Sequence, residues 1–219
     1  MLKIQYEKIL SADSLNRIRT HLEKDGLIIY PTDTLYGIGC NFYSIKAQNK
    51  IDIIKARHDM PYSVAISGLD MLKEIVDDIP ELFNKFYKEM LPGKFTFLMG
   101  PARSVDKKLI KNSIRIGIRI PDIPNIIKMI RYLGFPVIST SVNRSGQISM
   151  NSPDEIEMFL KKEISIPLSD LLFVDKGVLP VSKGSTIVDF SGKDIDLIRK
   201  GDDFSKFKKF LKRINSGRI

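Results

Sequence analysis

The residues able to do chemistry in this chain fall into six polar clusters: Thr32-Asp33-Thr34, Lys55 with Arg57, Arg115 with Arg119, Ser139-Thr140-Ser141-Val142-Asn143, Ser185-Thr186, and Arg199. Hydroxyls and an amide beside several guanidiniums suit an anionic ligand bearing carboxylates or phosphates. Each cluster also has an architectural reading. Thr32-Asp33-Thr34 fits a strand-to-turn cap, and Lys55 with Arg57 fits cations relieving a helix C-terminus. Arg115 and Arg119 fit a solvated strand face, and Ser139 to Ser145 fits a polar loop before a helix. Common templates are missing from the sequence: there is no Walker-type phosphate loop, no dinucleotide glycine fingerprint, no Gly-x-Ser-x-Gly elbow and no His-Glu-x-x-His. With Cys40 the only cysteine and His21 and His58 the only histidines, a disulfide framework, a multi-thiolate site and a histidine-rich metal centre are excluded. Cys40 reads as a buried small residue, since no partner base lies near it in sequence. Of the histidines, His58 is the better placed to touch a ligand, while His21 sits on a polar helix face.

Those clusters need elements that bring them together. Helical and strand patterns alternate along the chain, which predicts an α/β class, and open α/β sheets bind ligands at strand ends. Ser11 and Asp13 cap a helix over residues 11–24, ended by Gly26 before the strand Leu27-Ile28-Ile29-Tyr30. Ser44 to Arg57 reads as a helix with Ala47, Ile51 and Ile54 inward, and Val64-Ala65-Ile66 as a strand. Residues 69–90 hold one or two helices interrupted near Pro80, followed by a turn at Leu91-Pro92-Gly93 and a strand over residues 95–99. Residues 114–120 alternate apolar residues with Arg115, Gly117 and Arg119, the clearest period-two pattern in the chain. A helix around residues 124–133 precedes a strand from Phe135 to Ser139. Further strands are expected at residues 171–174, 186–190 and 195–198, and residues 161–170 form the loosest region. From Asp203, the spacing of Phe204, Phe207, Leu211 and Ile214 predicts an amphipathic helix.

The chain has 219 residues and a net charge of +9, with 43% hydrophobic residues, enough for one substantial core. Its pI near 9.5 invites a nucleic-acid reading. However, residues 199–219 hold eight Lys and Arg against two Asp, so +6 of the +9 lies in the tail. No apolar run approaches the ~20 residues that span a bilayer, and the N-terminus lacks a signal peptide's apolar stretch. A reduced, cytoplasmic setting is the expectation.

Taken in order, several segments resemble the YrdC-like family of threonylcarbamoyl-AMP synthases. They are Tyr30-Pro31-Thr32-Asp33-Thr34-Leu35-Tyr36-Gly37-Ile38-Gly39-Cys40, Lys55-Ala56-Arg57 and Leu91-Pro92-Gly93-Lys94-Phe95-Thr96. They continue with Ile116-Gly117-Ile118-Arg119-Ile120-Pro121, then Ser139 to Gly146, Ser185-Thr186-Ile187-Val188-Asp189 and Ile198-Arg199-Lys200-Gly201. The resemblance runs from about Leu15 to Gly201. It implies a single-domain α/β fold of YrdC/RibB-like type: a twisted mixed sheet with flanking helices and a large concave basic cavity. Residues 1–201 would form that catalytic domain and residues 202–219 a basic amphipathic C-terminal helix, with no second domain.

The activity it implies condenses L-threonine, bicarbonate or CO2, and ATP into threonylcarbamoyl-adenylate and pyrophosphate. A downstream transfer complex would then modify tRNA. By position, Lys55 and Arg57 match the family's Lys-x-Arg pair, facing the nucleotide phosphates and the carbamoyl group as catalytic residues. Thr32, Thr34, Arg119 and Ser185 match the threonine side. Ser141, Asn143 and Arg199 match the nucleotide side, together with Lys55 and Arg57. Mg2+ would accompany ATP, with no tightly bound cofactor and no metal held by the chain. Departures are His58 where Pro usually follows Lys-x-Arg, Ser63 for a common Leu, Ile66 where some members have His, and Lys94 for a frequent Pro, as in YciO-like proteins. Two further readings stay open: an RNA-binding module without synthase activity that touches tRNA, and a carbamoyl-adenylate chemistry like that of hydrogenase-maturation carbamoyltransferases. The missing zinc-finger cysteines weigh against the latter.

Overall fold

The computed structural model describes residues 1–57 and 60–216. Within these residues ten strands, β1 (Leu2–Gln5), β2 (Leu27–Pro31), β3 (Tyr36–Gly39), β4 (Ser63–Ala65), β5 (Phe95–Met99), β6 (Ile116–Arg119), β7 (Val137–Ser141), β8 (Leu171–Asp175), β9 (Thr186–Asp189) and β10 (Asp196–Arg199), join in one mixed sheet. Their order is β1-β8-β2-β3-β7-β4-β6-β5-β9-β10. Among the described residues seven α-helices flank it: α1 (Ala12–Glu23), α2 (Ile45–Lys55), α3 (Leu69–Ile75), α4 (Glu81–Met90), α5 (Pro124–Leu133), α6 (Pro153–Glu163) and α7 (Phe204–Asn215). The expected α/β class and the two helices either side of Pro80 are found. Among the described residues, no helix is long and apolar enough to cross a membrane.

Local chemistry accounts for the helix starts. Ser11 accepts from the Ser14 N–H and Ser44 from the Ala47 N–H, satisfying one orphan donor each. Pro124 and Pro153 stand in the first turns of α5 and α6, where the missing N–H costs nothing. Helix α1 packs on α5 and on β2, and α2 also packs on β2.

Cross-strand register decides which residues share a face. Ser63 pairs with Ser139 on β7 and with Gly117 on β6, and Gly117 pairs with Leu98 on β5. One step along, Ala65 pairs with Val137 and Arg119. Gly117 and Arg119 therefore share one face of β6, and Ile116 and Ile118 the opposite one. Gly39 of β3 meets a steric demand: a Cβ there would stand 2.1 Å from the Ile138 carbonyl oxygen.

Several elements differ from their sequence expectation. β6 is shorter than residues 114–120, because Lys111 and Asn112 turn the chain with positive φ and Ile114 is left 78% exposed. β7 extends to Ser141, two residues into the expected loop. β1 and β3 carry no sequence expectation at all, and α6 only that of a helix without stated bounds after the Ser139 to Ser145 loop. β1 buries only Ile4, β3 is the glycine-rich Tyr-Gly-Ile-Gly, and α6 runs into the segment read as loosest.

An aromatic cluster anchors the chain's last helix. Phe86 of α4 lies 4.9 Å from Phe210 and 5.9 Å from Phe207, centroid to centroid, and also contacts Phe97 and Phe190. Phe86→Ala is expected to cost about 3–5 kcal/mol, the range for emptying a fully buried aromatic site. It should also expose the α7 amides to hydrogen exchange ahead of the rest of the chain. A loss under about 1 kcal/mol in urea denaturation would mean that α7 is held by other contacts.

Candidate functional site

The strand ends open onto a cavity of about 1650 Å³. Its lining includes Thr32, Thr34, Lys55, Arg57, Arg119, Ser141, Asn143, Ser185 and Arg199, the residues to which the sequence resemblance gives a role, while Asp33, Arg115 and Thr186 of the same clusters lie outside it.

Lys55 and Arg57 reach it because α2 ends between them. On a continuing helix, residues two apart point roughly 200° apart. Ala56 adopts the left-handed conformation, with φ 48°, and turns Arg57 back toward the side that Lys55 faces. Lys55 Nζ donates to the Ser141 carbonyl at 2.7 Å and to Asn143 Oδ1 at 2.5 Å. Asn143 Oδ1 also accepts from Ser141 Oγ, its Nδ2 donates to the Gln147 carbonyl, and the Ser145 N–H donates to the Lys55 carbonyl. Backbone and side chain of Lys55 are thus both tied to the segment after β7.

The turn after β2 is closed by Thr32. Its hydroxyl donates to the Leu35 carbonyl at 2.6 Å and accepts the N–H groups of Thr34 and Leu35. That leaves the neighbouring Thr34 hydroxyl to receive Arg119 Nη2 at 3.3 Å. Arg119 Nη2 also donates to Asp33 Oδ1 at 2.8 Å, and Asp33 Oδ2 accepts the Asp122 N–H. Arg119 Nε is buried and has no partner among the described residues. Asp33 stands behind Arg119 rather than in the cavity lining.

On the far side, Arg199 Nε and Nη2 both donate to the Ser185 carbonyl, and Nη2 also reaches Ser185 Oγ at 3.1 Å. Gly184, with φ 78°, lets the guanidinium pass: a Cβ there would lie 3.1 Å from Arg199 Nη2. Ser185 Oγ is 2.8 Å from Thr96 Oγ1.

The electrostatics are asymmetric. Arg119 has a carboxylate partner. Lys55, Arg57 and Arg199 are held, among the described residues, by carbonyl, amide and hydroxyl oxygens and by an aromatic ring. Burial, and after it the Arg57 charge, pushes the Lys55 ammonium down to about 8. Burial and the charge of Arg119 likewise lower Arg199. Cations that disfavour one another across the cavity are poised for a ligand with several negative charges.

Other sequence candidates lie elsewhere. Arg115 pairs with Asp189 at 3.0 Å and bonds Ser191, so the surface reading holds for it. Cys40 is fully buried and burial pushes its thiol up, which suits packing. His21 is not on a free polar face: its Nε2 lies within 3.1 Å of the Leu27 and Asp170 carbonyls. His58 falls outside the described residues. Lys94 pairs with Asp202 at 3.5 Å and tethers the approach to α7, away from the cavity lining. The sequence clusters omit Tyr62, Thr96 and Lys183 from the lining. Thr96 falls in a segment already singled out, and Tyr62 carried no signal. Ser139 Oγ, buried in the cavity wall, has no partner among the described residues.

If Lys55 binds anions as its cation, affinity must fall as its proton leaves. Sulfate keeps a constant charge over this range, so any titration belongs to the protein. Its affinity should decline above about pH 8, toward tenfold per unit for one proton, and Lys55→Met should remove the decline. A flat profile in the unaltered protein would contradict this assignment.

Comparison with known proteins adds the rest. The family Sua5_yciO_yrdC, described as telomere recombination, matches residues 20–201. A threonylcarbamoyl-AMP synthase of Wigglesworthia glossinidia brevipalpis is 30% identical over 191 residues, 86% of this chain and 94% of that protein. The structure of E. coli YciO matches with a TM-score of 0.75 and 25% identity, over 92% of this chain and 95% of its own. P. abyssi Sua5 complexed with L-threonine matches in fold, with a TM-score of 0.82 at 20% identity. That match takes in 96% of this chain but 60% of the P. abyssi protein, so the present chain spans about three fifths of that relative.

Proposed function

The chain belongs to the Sua5/YciO/YrdC family, and we propose that it is a threonylcarbamoyl-AMP synthase, a nucleotidyltransferase that joins L-threonine, bicarbonate or CO2, and ATP. The observation that carries this reading is the convergence of Lys55, Arg57 and Arg199, without carboxylate partners among the described residues, on the cavity lined also by Arg119, whose partner Asp33 stands outside the lining. A polyanion needs the first three. A single carboxylate needs only the last.

In this reading the neutral threonine amine adds to CO2 and loses a proton, giving a carbamate whose oxygen is already anionic. That oxygen attacks the α-phosphorus of ATP, the bond to the β-phosphate breaks, and pyrophosphate leaves. No strong general base is required for the phosphoryl step, which fits a chain with two histidines. The chain supplies position and charge. Arg119, held in place by Asp33, takes the threonine carboxylate. Thr34 and Ser185 face the amino acid, and Thr32 acts by shaping the turn that aims Thr34. Ser141 and Asn143 keep Lys55 on the nucleotide, while Arg57 and Arg199 offset phosphate charge. Lys55 and Arg57 are the catalytic pair. Mg2+ enters with ATP as part of the substrate.

The product serves a tRNA-modifying transfer step carried out by other proteins, and residues 1–201 form the catalytic unit. A second reading, an RNA-binding module without synthesis, draws on the exposed Lys206, Lys208, Lys209, Lys212 and Arg213 of α7. It predicts steeply salt-dependent tRNA binding and no nucleotide chemistry.

Purified protein should release pyrophosphate from ATP only when threonine and bicarbonate are both present. Equal release without threonine would sink the synthase reading. Lys55→Ala and Arg57→Ala should each lower turnover at least ~10²-fold, the scale for one lost preorganised contact. Near-normal rates in either variant would remove that residue from the catalytic pair.

A further inference from the structure

Arg119 and Arg57 are held by different means. Arg119 has the Asp33 carboxylate at 2.8 Å. Arg57 instead lies over an aromatic face, its guanidinium carbon 4.6 Å from the centroid of the Tyr62 ring. Its Nη2 donates to the Pro61 carbonyl at 3.2 Å and lies 3.4 Å from that of Met60. Its Nε is buried and, among the described residues, unpartnered.

Tyr62 is itself fixed. It is 5% exposed, and its hydroxyl donates at 2.7 Å to Oδ1 of Asp52, a buried residue of α2. The other Asp52 oxygen accepts Lys111 Nζ, which stands 5.6 Å from the same ring's centroid. Burial and the Asp52 carboxylate push the Tyr62 phenol well above its ordinary range, so it stays a donor.

A ring quadrupole attracts a cation without carrying net charge. A carboxylate in the same place would anchor Arg57 too, but would cancel the charge that a phosphate-bearing ligand needs. We propose that Tyr62 is a positioning residue for the nucleotide side of the reaction: its ring fixes the Arg57 guanidinium in the cavity without neutralising it, and the bond to Asp52 fixes the ring. The inference rests on the synthase reading for its kinetic readout. The physical claim concerns any polyphosphate that meets Arg57.

The competing explanation is that Tyr62 only fills space. Steady-state kinetics of pyrophosphate release separate the two, using Tyr62→Leu, Tyr62→Phe, Arg57→Ala and the double variant Arg57→Ala with Tyr62→Leu. Losing the ring should lower kcat/KM for ATP about tenfold or more, with calorimetric threonine affinity unchanged within about twofold. Tyr62→Phe keeps the ring and should stay within about threefold of the unaltered enzyme. In the Arg57→Ala background, Tyr62→Leu should have no further effect. A full Tyr62→Leu effect in that background, or a Phe variant as impaired as the Leu variant, overturns the proposal. If Tyr62→Leu does not fold by circular dichroism, Tyr62→Met supplies the same comparison. If the unaltered protein releases no pyrophosphate, the synthase reading fails by itself. Calorimetric binding of inorganic pyrophosphate to the same four proteins then decides the role of Tyr62, with the same pattern of losses expected.

Discussion

Several cations share one cavity in which Lys55, Arg57 and Arg199 have, among the described residues, no carboxylate partner, and much of the surrounding structure answers that constraint. Removing an ion from water costs roughly several kcal/mol even after relaxation. Lys55 meets that cost with two short bonds to oxygens of the β7 segment, and Arg199 with a doubly bonded carbonyl at Ser185. Neutral oxygens solvate a cation without erasing it. Those cations therefore repel one another, an electrostatic load that an anionic ligand relieves. Because such a ligand binds the folded state, it also stabilises that state.

The sheet makes this arrangement possible by carrying the ends of β2, β4, β6, β7 and β9 to one cavity. Small side chains matter as much as charged ones there. Ser63, Ser139 and Gly117 form a row across three strands, leaving depth in front of Arg119. Support comes from behind as well. Asp33 is outside the cavity lining yet decides where the Arg119 guanidinium points, and Ala56 accepts a left-handed backbone so that two cations share a cavity. For a residue without glycine's freedom that conformation costs roughly 1–2 kcal/mol.

Much of this was legible in the sequence, for identifiable reasons. The site residues sit in short motifs next to strands or helix ends, where spacing and cap chemistry constrain placement. The period-two pattern around Arg119 correctly separated its face from that of Ile116 and Ile118, although it also swept in Arg115, which lies beyond the strand and pairs with Asp189. What was not legible depends on contacts between distant segments. β3 is short and glycine-rich, and exists because β2 and β7 both offer it hydrogen bonds. β1 has a single buried side chain and takes its identity from β8. Tyr62 looks like an ordinary aromatic until Arg57, Asp52 and Lys111 are seen around it.

The strand order has a consequence for how the molecule comes into being. Among the described residues, Leu2–Gln5 pair in the sheet with Leu171–Asp175 alone, a segment far later in the chain. β5 likewise waits for β9, and Phe86 waits for Phe207 and Phe210. Early and late segments are interlaced, so neither half of the chain contains a complete sheet of its own. Such long-range pairing is slow to form. A growing chain has nowhere to bury β1 until residue 175 has emerged, and the Arg199 side of the cavity is completed later still. The ligand site, which draws on early and late segments alike, is among the last parts to close.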